Sequence, residues 1–185
     1  AGLSLGSNQG NRLDHLRQAV RRLAALPGVR ILAKSRVYET EPVDLLDQPL
    51  FLNQVLEVRT ALDPPALLRL ARFVEAALRR VPTVAKGPRT IDVDILLAGD
   101  MVLETPDLVV PHPRLHLRNF VLVPLAEIAA EARHPVLGKT VRELAAASTG
   151  RARPTPSCSA PRTPTRGSSR SARSRRGRRR ACWRC

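Results

Sequence analysis

Seven consecutive residues, Ile91-Asp92-Val93-Asp94-Ile95-Leu96-Leu97, restrict this chain more than any other stretch. Strand side chains alternate between faces, so Ile91, Val93, Ile95 and Leu97 are expected on one side and Asp92 and Asp94 on the other. The apolar face requires a covering layer, which places the strand in a sheet packed against helices. The two carboxylates project together, roughly 6–7 Å apart for a rise of about 3.3 Å per residue. Such a pair suits an oxygen-seeking cation, and magnesium in particular takes one or two carboxylates plus substrate phosphates.

The flanking sequence supplies the rest of that sheet. Residues 2–6 read as a short strand, and Ser7-Asn8-Gln9-Gly10 follows as a turn. Asn11 then caps a helix whose inward stripe is Leu13, Leu16, Val20, Leu23 and Leu26, ended by Pro27-Gly28. Residues 30–39 and 51–60 read as neighbouring strands joined by the loop from Pro42 to Pro49. Asp63 caps a second helix, with Pro64 at its first position and Leu67, Leu70, Ala71, Val74 and Leu78 facing inward. Weak strands near 101–110 follow, and Thr140-Val141-Arg142-Glu143 opens a closing helix with a capping box that runs towards Gly150. The order β-α-β-β-α-β predicts an α+β, ferredoxin-like sandwich over residues 1–150.

Charge divides the chain in two. Its formal net charge is +15, yet residues 151–185 hold 12 of the 31 basic side chains and none of the 16 acidic ones, which leaves +3 for residues 1–150. The tail is Arg, Ser, Pro, Ala and Cys with almost no aliphatic residues, so it cannot bury enough surface to offset chain entropy and is expected to be a disordered, Arg-rich segment. Its abrupt onset also fits an altered reading frame in a GC-rich gene. All three cysteines, Cys158, Cys182 and Cys185, lie there, so the body has no disulfide framework and no thiol nucleophile. With no apolar run of about 20 residues and no signal-peptide pattern, the expected location is the cytoplasm, away from membranes. Ala1 already stands inside an apparent strand, as in a chain that lacks a few first residues or is cut from a longer one.

Around the acidic strand the residue types suit phosphate chemistry. Gly87-Pro88-Arg89-Thr90 precedes it, and His112, Arg114, His116 and Arg118 cluster beside Pro111 and Pro113. Arginine presents a planar, permanently charged fork to phosphate oxygens, so carboxylates for a metal beside arginines for phosphate describe a phosphoryl-transfer site. The words LSLGSNQGNR, YETEP, FLNQV, GPRTIDVDILL and VPHPRLHLRNFVLVPL resemble, in that order, those of the 6-hydroxymethyl-7,8-dihydropterin pyrophosphokinases of folate biosynthesis, over about residues 2–148.

That resemblance implies an enzyme that moves diphosphate from ATP to the hydroxymethyl group of a reduced pterin and releases AMP. It implies two magnesium ions on Asp92 and Asp94, with ATP as co-substrate. Arg80 and Arg89 match phosphate-binding positions, and with Asp92 and Asp94 they form the implied catalytic set. Glu75, Ile95, His112 and Arg118 match further ATP-side positions; an ordinary helix-surface ion pair of Glu75 with Arg79 accounts for Glu75 equally well. Phe51 and Phe120 resemble the aromatic pair that sandwiches the pterin, Phe51 standing where tyrosine is usual, and Asn53 the amide that reads its polar edge. Thr40 through Val43, Thr40, Pro42 and Val43 foremost, would line that pocket, largely through backbone groups. Fusion or association with another folate enzyme is also implied.

One stretch departs from the family. Its loop commonly reads R-V-R-x-x-R-W-G-P-R-T, whereas here it is Arg80-Val81-Pro82-Thr83-Val84-Ala85-Lys86-Gly87-Pro88-Arg89-Thr90, without two arginines and a tryptophan. Pro82 stiffens it and Lys86 cannot pack as an indole would, so a weakened closed state is expected. A loop-impaired relative that only binds pterin or ATP is therefore an alternative reading. A second is a nucleic-acid binder with a basic tail. Against it, the presumed strands lack the aromatic words of RNA-binding sheets, which leaves the tail only nonspecific backbone contacts.

Overall fold

The computed structural model describes residues 1–43, 45–80, 87–148 and 155–156. The expectations for residues 81–86, for the end of the last helix at Gly150 and for most of the tail lie outside the described residues.

The core of the chain is an antiparallel sheet around one long strand. Strand β1 (Gly2–Ser7) leads into helix α1 (Arg12–Ala25), then β2 (Val29–Lys34), β3 (Tyr38–Thr40) and β4 (Phe51–Thr60). Helix α2 (Pro64–Ala77) returns the chain to β5 (Asp92–Leu97), which lies beside β1. The sheet order is β5-β1-β4-β3, with β2 paired to the far half of β4 and a two-residue strand at Thr155–Pro156 on the outer side of β3. Strands β6 (Leu103–Glu104) and β7 (Val109–Val110) pair only with each other. After a 3-10 turn at Leu115–Leu117, helices α3 (Asn119–Ala129) and α4 (Val141–Ser148) close the described body.

Local chemistry sets the helix ends. Asn11 accepts the Asp14 N–H at 3.2 Å and Asp63 the Ala66 N–H at 2.7 Å, satisfying first-turn donors of α1 and α2. The Thr140–Glu143 capping box forms in both directions, at 2.7 and 3.2 Å. Leu16, Ala19 and Leu23 of α1 and Leu67, Ala71 and Val74 of α2 bury their stripe against Leu3, Leu5, Val58, Val93 and Ile95 of the sheet. The opposite face carries a second cluster, in which Val55, Leu96 and Leu97 meet Val121, Leu122 and Leu125 of α3 and Val141 and Leu144 of α4.

Three sequence expectations are corrected. The strand expected over 30–39 breaks at Ser35, whose Oγ accepts the Val55 N–H at 2.9 Å and donates to the Arg36 carbonyl at 2.7 Å, replacing a regular ladder contact. Leu97 does not share a face with Ile95. Gly2 pairs with Leu97 and Leu3 with Ile95, so Leu96 is the extra residue of a bulge that turns Leu97 into the second cluster. Helix α3 was not anticipated, because Asn119–Ala129 is apolar on nearly every side and contains Pro124, which hides the helical period.

Candidate active site

The ends of β1, β3, β4 and β5 nearest Asp92 open into a cleft of about 300 Å³. Its floor is two-residue periodicity made visible: Ser4 and Gly6 of β1 pair with Asp94 and Asp92 of β5, and Asn53 and Phe51 follow at the same spacing along β4. Gly6 pairs with Asn53 on one side and Asp92 on the other. A Cβ there would come within 3.1 Å of Asn53 Oδ1, so a larger residue would push the carboxamide out of place.

One end of the cleft is amphipathic. Asn53 is buried and donates through Nδ2 to Thr40 Oγ1 at 2.7 Å, which holds its carboxamide in one orientation. Thr40, Glu41, Pro42 and Val43 line this end, Thr40 with a side-chain hydroxyl rather than backbone alone. Phe51 and Phe120 both border the cleft, each under an arginine: Arg89 lies 5.3 Å from the Phe51 ring centre and Arg118 lies 5.4 Å from that of Phe120. Guanidinium over a ring face is a favourable electrostatic contact.

The other end concentrates charge. Arg80 Nη1 approaches Asp92 Oδ1 at 2.9 Å, and Arg89 Nε approaches Asp92 Oδ2 at 3.0 Å. Arg80 also pairs with Glu75, which accepts the Val93 N–H at 2.8 Å. Glu75 is therefore buried behind the cleft, not on a helix surface with Arg79; Arg79 takes a left-handed φ of 57° at the end of α2, which redirects the chain after it. Burial is the main force pushing the Glu75 carboxyl above the usual range, against the Val93 hydrogen bond and Arg80.

Asp94 shows what the carboxylate pair costs. Burial first, and then the charge of Asp92, push its carboxyl up to about 6, while Arg118 and Arg89 pull it back. A bound cation would relieve that repulsion, so the two side chains fit a hard, oxygen-seeking ion whose shell a substrate completes. Among the described residues no cluster of three or more His, Cys, Asp or Glu side chains forms a fuller cage.

His112 enters from the loop after β7, tied to β5 by its N–H to the Leu96 carbonyl at 2.9 Å. Its Nδ1 accepts the Arg114 N–H at 3.1 Å, which leaves the ring proton on Nε2. Burial, followed by Arg118 and Arg114, brings its pKa down to about 4, so the ring is neutral at pH 7 and acts as a donor.

Of the residues singled out from sequence, Arg80, Arg89, Asp92, Asp94, His112 and Arg118 come together here with Thr40, Pro42, Val43, Phe51, Asn53 and Phe120. Ile95 does not join them, because its side chain alternates to the opposite face and is buried under α1 and α2. His116 also turns away, its ring edge-on to His134 at 6.2 Å. Gln48 lines the cleft as well, as does Arg114, read from sequence only as part of the basic cluster. Ser4 and Gly6 were detectable from their alternation with Leu3 and Leu5, which places them on the face carrying the aspartates.

The model of the 7,8-dihydro-6-hydroxymethylpterin-pyrophosphokinase family matches residues 2–130. A 2-amino-4-hydroxy-6-hydroxymethyldihydropteridine pyrophosphokinase of Bacillus subtilis is 47% identical over 131 residues, 71% of this chain and 78% of that protein. One from Methylorubrum extorquens is 45% identical over 143 residues, 77% and 89% of the two chains. The folic acid synthesis protein fol1 of Pneumocystis carinii is 40% identical over 139 residues, but this chain spans only 19% of its length. Among solved structures, wild-type Plasmodium falciparum HPPK-DHPS with pteroate superposes with a TM-score of 0.65 at 17% identity, covering 82% of this chain and 42% of that one, a likeness of fold.

Proposed function

The chain belongs to the 7,8-dihydro-6-hydroxymethylpterin-pyrophosphokinase family, and from that premise we propose that it transfers diphosphate from ATP to the hydroxymethyl group of 6-hydroxymethyl-7,8-dihydropterin and releases AMP. The observation that carries this reading is one cleft with two ends. Asp92, Asp94, Arg80 and Arg89 gather at one, and Phe51, Phe120 and the oriented Asn53 at the other.

The hydroxymethyl oxygen attacks the β-phosphorus of ATP and gives up its proton to water, the bond from that phosphorus to the α–β bridging oxygen breaks with its electron pair passing to that oxygen, and AMP departs. Asp92 and Asp94 are the residues that would hold magnesium, taken as two ions, which when bound neutralises phosphate charge and orients the polyphosphate. Arg80 and Arg89 leave Asp92 to meet the phosphates, and Arg118 and the Nε2–H of His112 add donors. Phe51 and Phe120 offer faces to the flat ring, and Asn53, fixed by Thr40, offers its carboxamide to the polar edge. Holding both substrates in one geometry supplies most of the rate.

The sheet order β5-β1-β4 with β2 and β3 beyond, crossed by α1 and α2, supports the ferredoxin-like reading, with α3 and α4 as an added layer. The relatives fol1 and HPPK-DHPS support a second folate enzyme as partner, fused or associated. No helix among the described residues is long and apolar enough to cross a membrane. The test is AMP release from magnesium-ATP, with and without the pterin, by the protein and by an Asp92→Ala, Asp94→Ala double variant. Pterin-dependent AMP that the double variant loses supports the proposal; pterin binding without AMP favours a loop-impaired binding protein.

A further inference from the structure

We infer that Asn8, which lies outside the cleft lining, is a positioning residue that couples the nucleotide end of the site to the pterin end; the inference rests on the pyrophosphokinase reading above. Asn8 follows β1 and is 1% exposed. Its Nδ2 donates to Gln48 Oε1 at 3.0 Å and to the Pro49 carbonyl at 3.2 Å, while its Oδ1 accepts the Arg89 N–H at 2.8 Å. The Asn8 N–H donates to the Arg89 carbonyl at 3.2 Å, so Arg89 is gripped at both of its backbone polar groups.

Of the segments that Asn8 joins, Arg89 reaches the charged end of the cleft and the Gln48 loop the end lined by Pro42 and Val43. Arg89 places its guanidinium 3.0 Å from Asp92 Oδ2 and 5.3 Å from the Phe51 ring centre. Gln48 lines the cleft beside Pro42 and Val43, and its Nε2 donates to the Leu45 carbonyl at 2.7 Å, tying the loop to itself. Arg12, the first residue of α1, donates to the Leu50 carbonyl at 2.7 Å and pairs with Glu39 at 2.9 Å. Gln48 and Pro49 are thereby moored to Asn8, which holds Arg89, and Leu50 to the start of α1 four residues on.

The choice of side chain follows from this geometry. A carboxamide supplies two donor hydrogens and an acceptor oxygen in one rigid plane, and all three functions are used here. A carboxylate keeps only the acceptors, and a hydroxyl has a single donor hydrogen. Because Asn8 is buried, water cannot stand in for a bond broken by movement of the Gln48 loop, so a shift at one end changes the alignment of Arg89 at the other. Coupling of this kind is reciprocal: each ligand alters the affinity for the other by the same factor.

The experiment measures pterin affinity by calorimetry with and without magnesium and a non-hydrolysable ATP analogue. The expected ratio for the unaltered chain is about fivefold or more. Asn8→Asp keeps the acceptor for Arg89 but loses both donors to the loop, and it is expected to bring the ratio close to one while nucleotide affinity without pterin changes by less than about twofold. Gln48→Ala, at a half-buried loop position that does not threaten folding, is expected to lower the ratio likewise, and the double variant to lower it no further. An unaltered ratio in both variants, with or without a lower melting temperature, overturns the inference, as does a ratio of one in the unaltered chain. If the unaltered chain binds neither ligand, the pyrophosphokinase reading itself fails.

Discussion

Arg80 and Asp92 are joined by a 2.9 Å ion pair that also reaches back to Glu75, so the residue proposed to hold phosphate is stored against the residue proposed to hold metal. Arg89 occupies the other oxygen of the same carboxylate at 3.0 Å. Both oxygens of Asp92 are thereby paired within the protein; under the proposed function, substrate binding would exchange arginine for magnesium at the carboxylate and carboxylate for phosphate at the arginines.

Asp92→Asn keeps the shape of this centre and removes its charge. Diphosphate transfer is expected to fall on the order of 100-fold or more, comparable to loss of an electrostatic stabiliser elsewhere. Because the charge of Asp92 helps raise Asp94, the Asp94 carboxyl should titrate lower in the variant. Steady-state AMP release and a carboxyl-carbon NMR titration check the two outcomes.

Between pH 4 and 6, His112 and Asp94 drive stability in opposite directions. The folded His112, lowered to about 4, refuses a proton that the unfolded chain accepts below about 6.5, so its contribution weakens as pH falls through that window. The folded Asp94, raised to about 6, binds a proton that the unfolded chain releases above about 3.9, so its contribution weakens as pH rises. His112→Gln should expose the Asp94 slope, with stability highest at the acid end, and Asp94→Asn the reverse. Urea midpoints across pH 4–7 measure both, and parallel curves for the two variants would contradict the assignment.

Phe51→Ala should weaken pterin binding by about 1–3 kcal/mol, the range for stacking a flat base on an aromatic side chain. Phe51→Tyr should bind as the parent does. Equilibrium titration decides the point; equal affinities for all three would remove Phe51 from the pterin site.

Restoring the family's usual residues with Pro82→Arg, Ala85→Arg and Lys86→Trp should raise turnover and leave pterin affinity within about twofold, because the added charges act on the transferring phosphates. Single-turnover kinetics read this directly. No gain would mean that the loop is not what holds the rate down.

Deletion of residues 151–185 should leave pterin-dependent AMP release unchanged and abolish any salt-sensitive binding to nucleic acid, since those residues hold 12 of the 31 basic side chains. Loss of transfer in the truncated chain would place part of the site in the tail.

Much of the site was legible because strand alternation is a local rule. The spacing of Asp92 and Asp94 sets their common face, and the caps at Asn11, Asp63 and Thr140 lie within three residues of the groups they satisfy. Where contacts cross the chain, the local rule failed. Glu75 has Arg79 four residues away, the usual helix partner, yet pairs with Arg80 and the Val93 N–H because the end of α2 turns it inward. Leu97 obeys the alternation until a bulge opposite β1 shifts it, and Asn8 bonds residues 40, 41 and 81 positions away.

From its order of residues alone, this protein has most of its strands, the capped starts of α1, α2 and α4, its carboxylate pair and its family likeness, because each depends on neighbours within a turn or on a contiguous word. Only the tertiary structure decided which arginine answers which carboxylate, that Ile95 belongs to the core, that His112 keeps its proton on Nε2 and that Asn8 joins the two ends of the cleft. Those outcomes depend on burial and on hydrogen-bond partners brought from distant segments, and removal from water is what makes one partner rather than another binding.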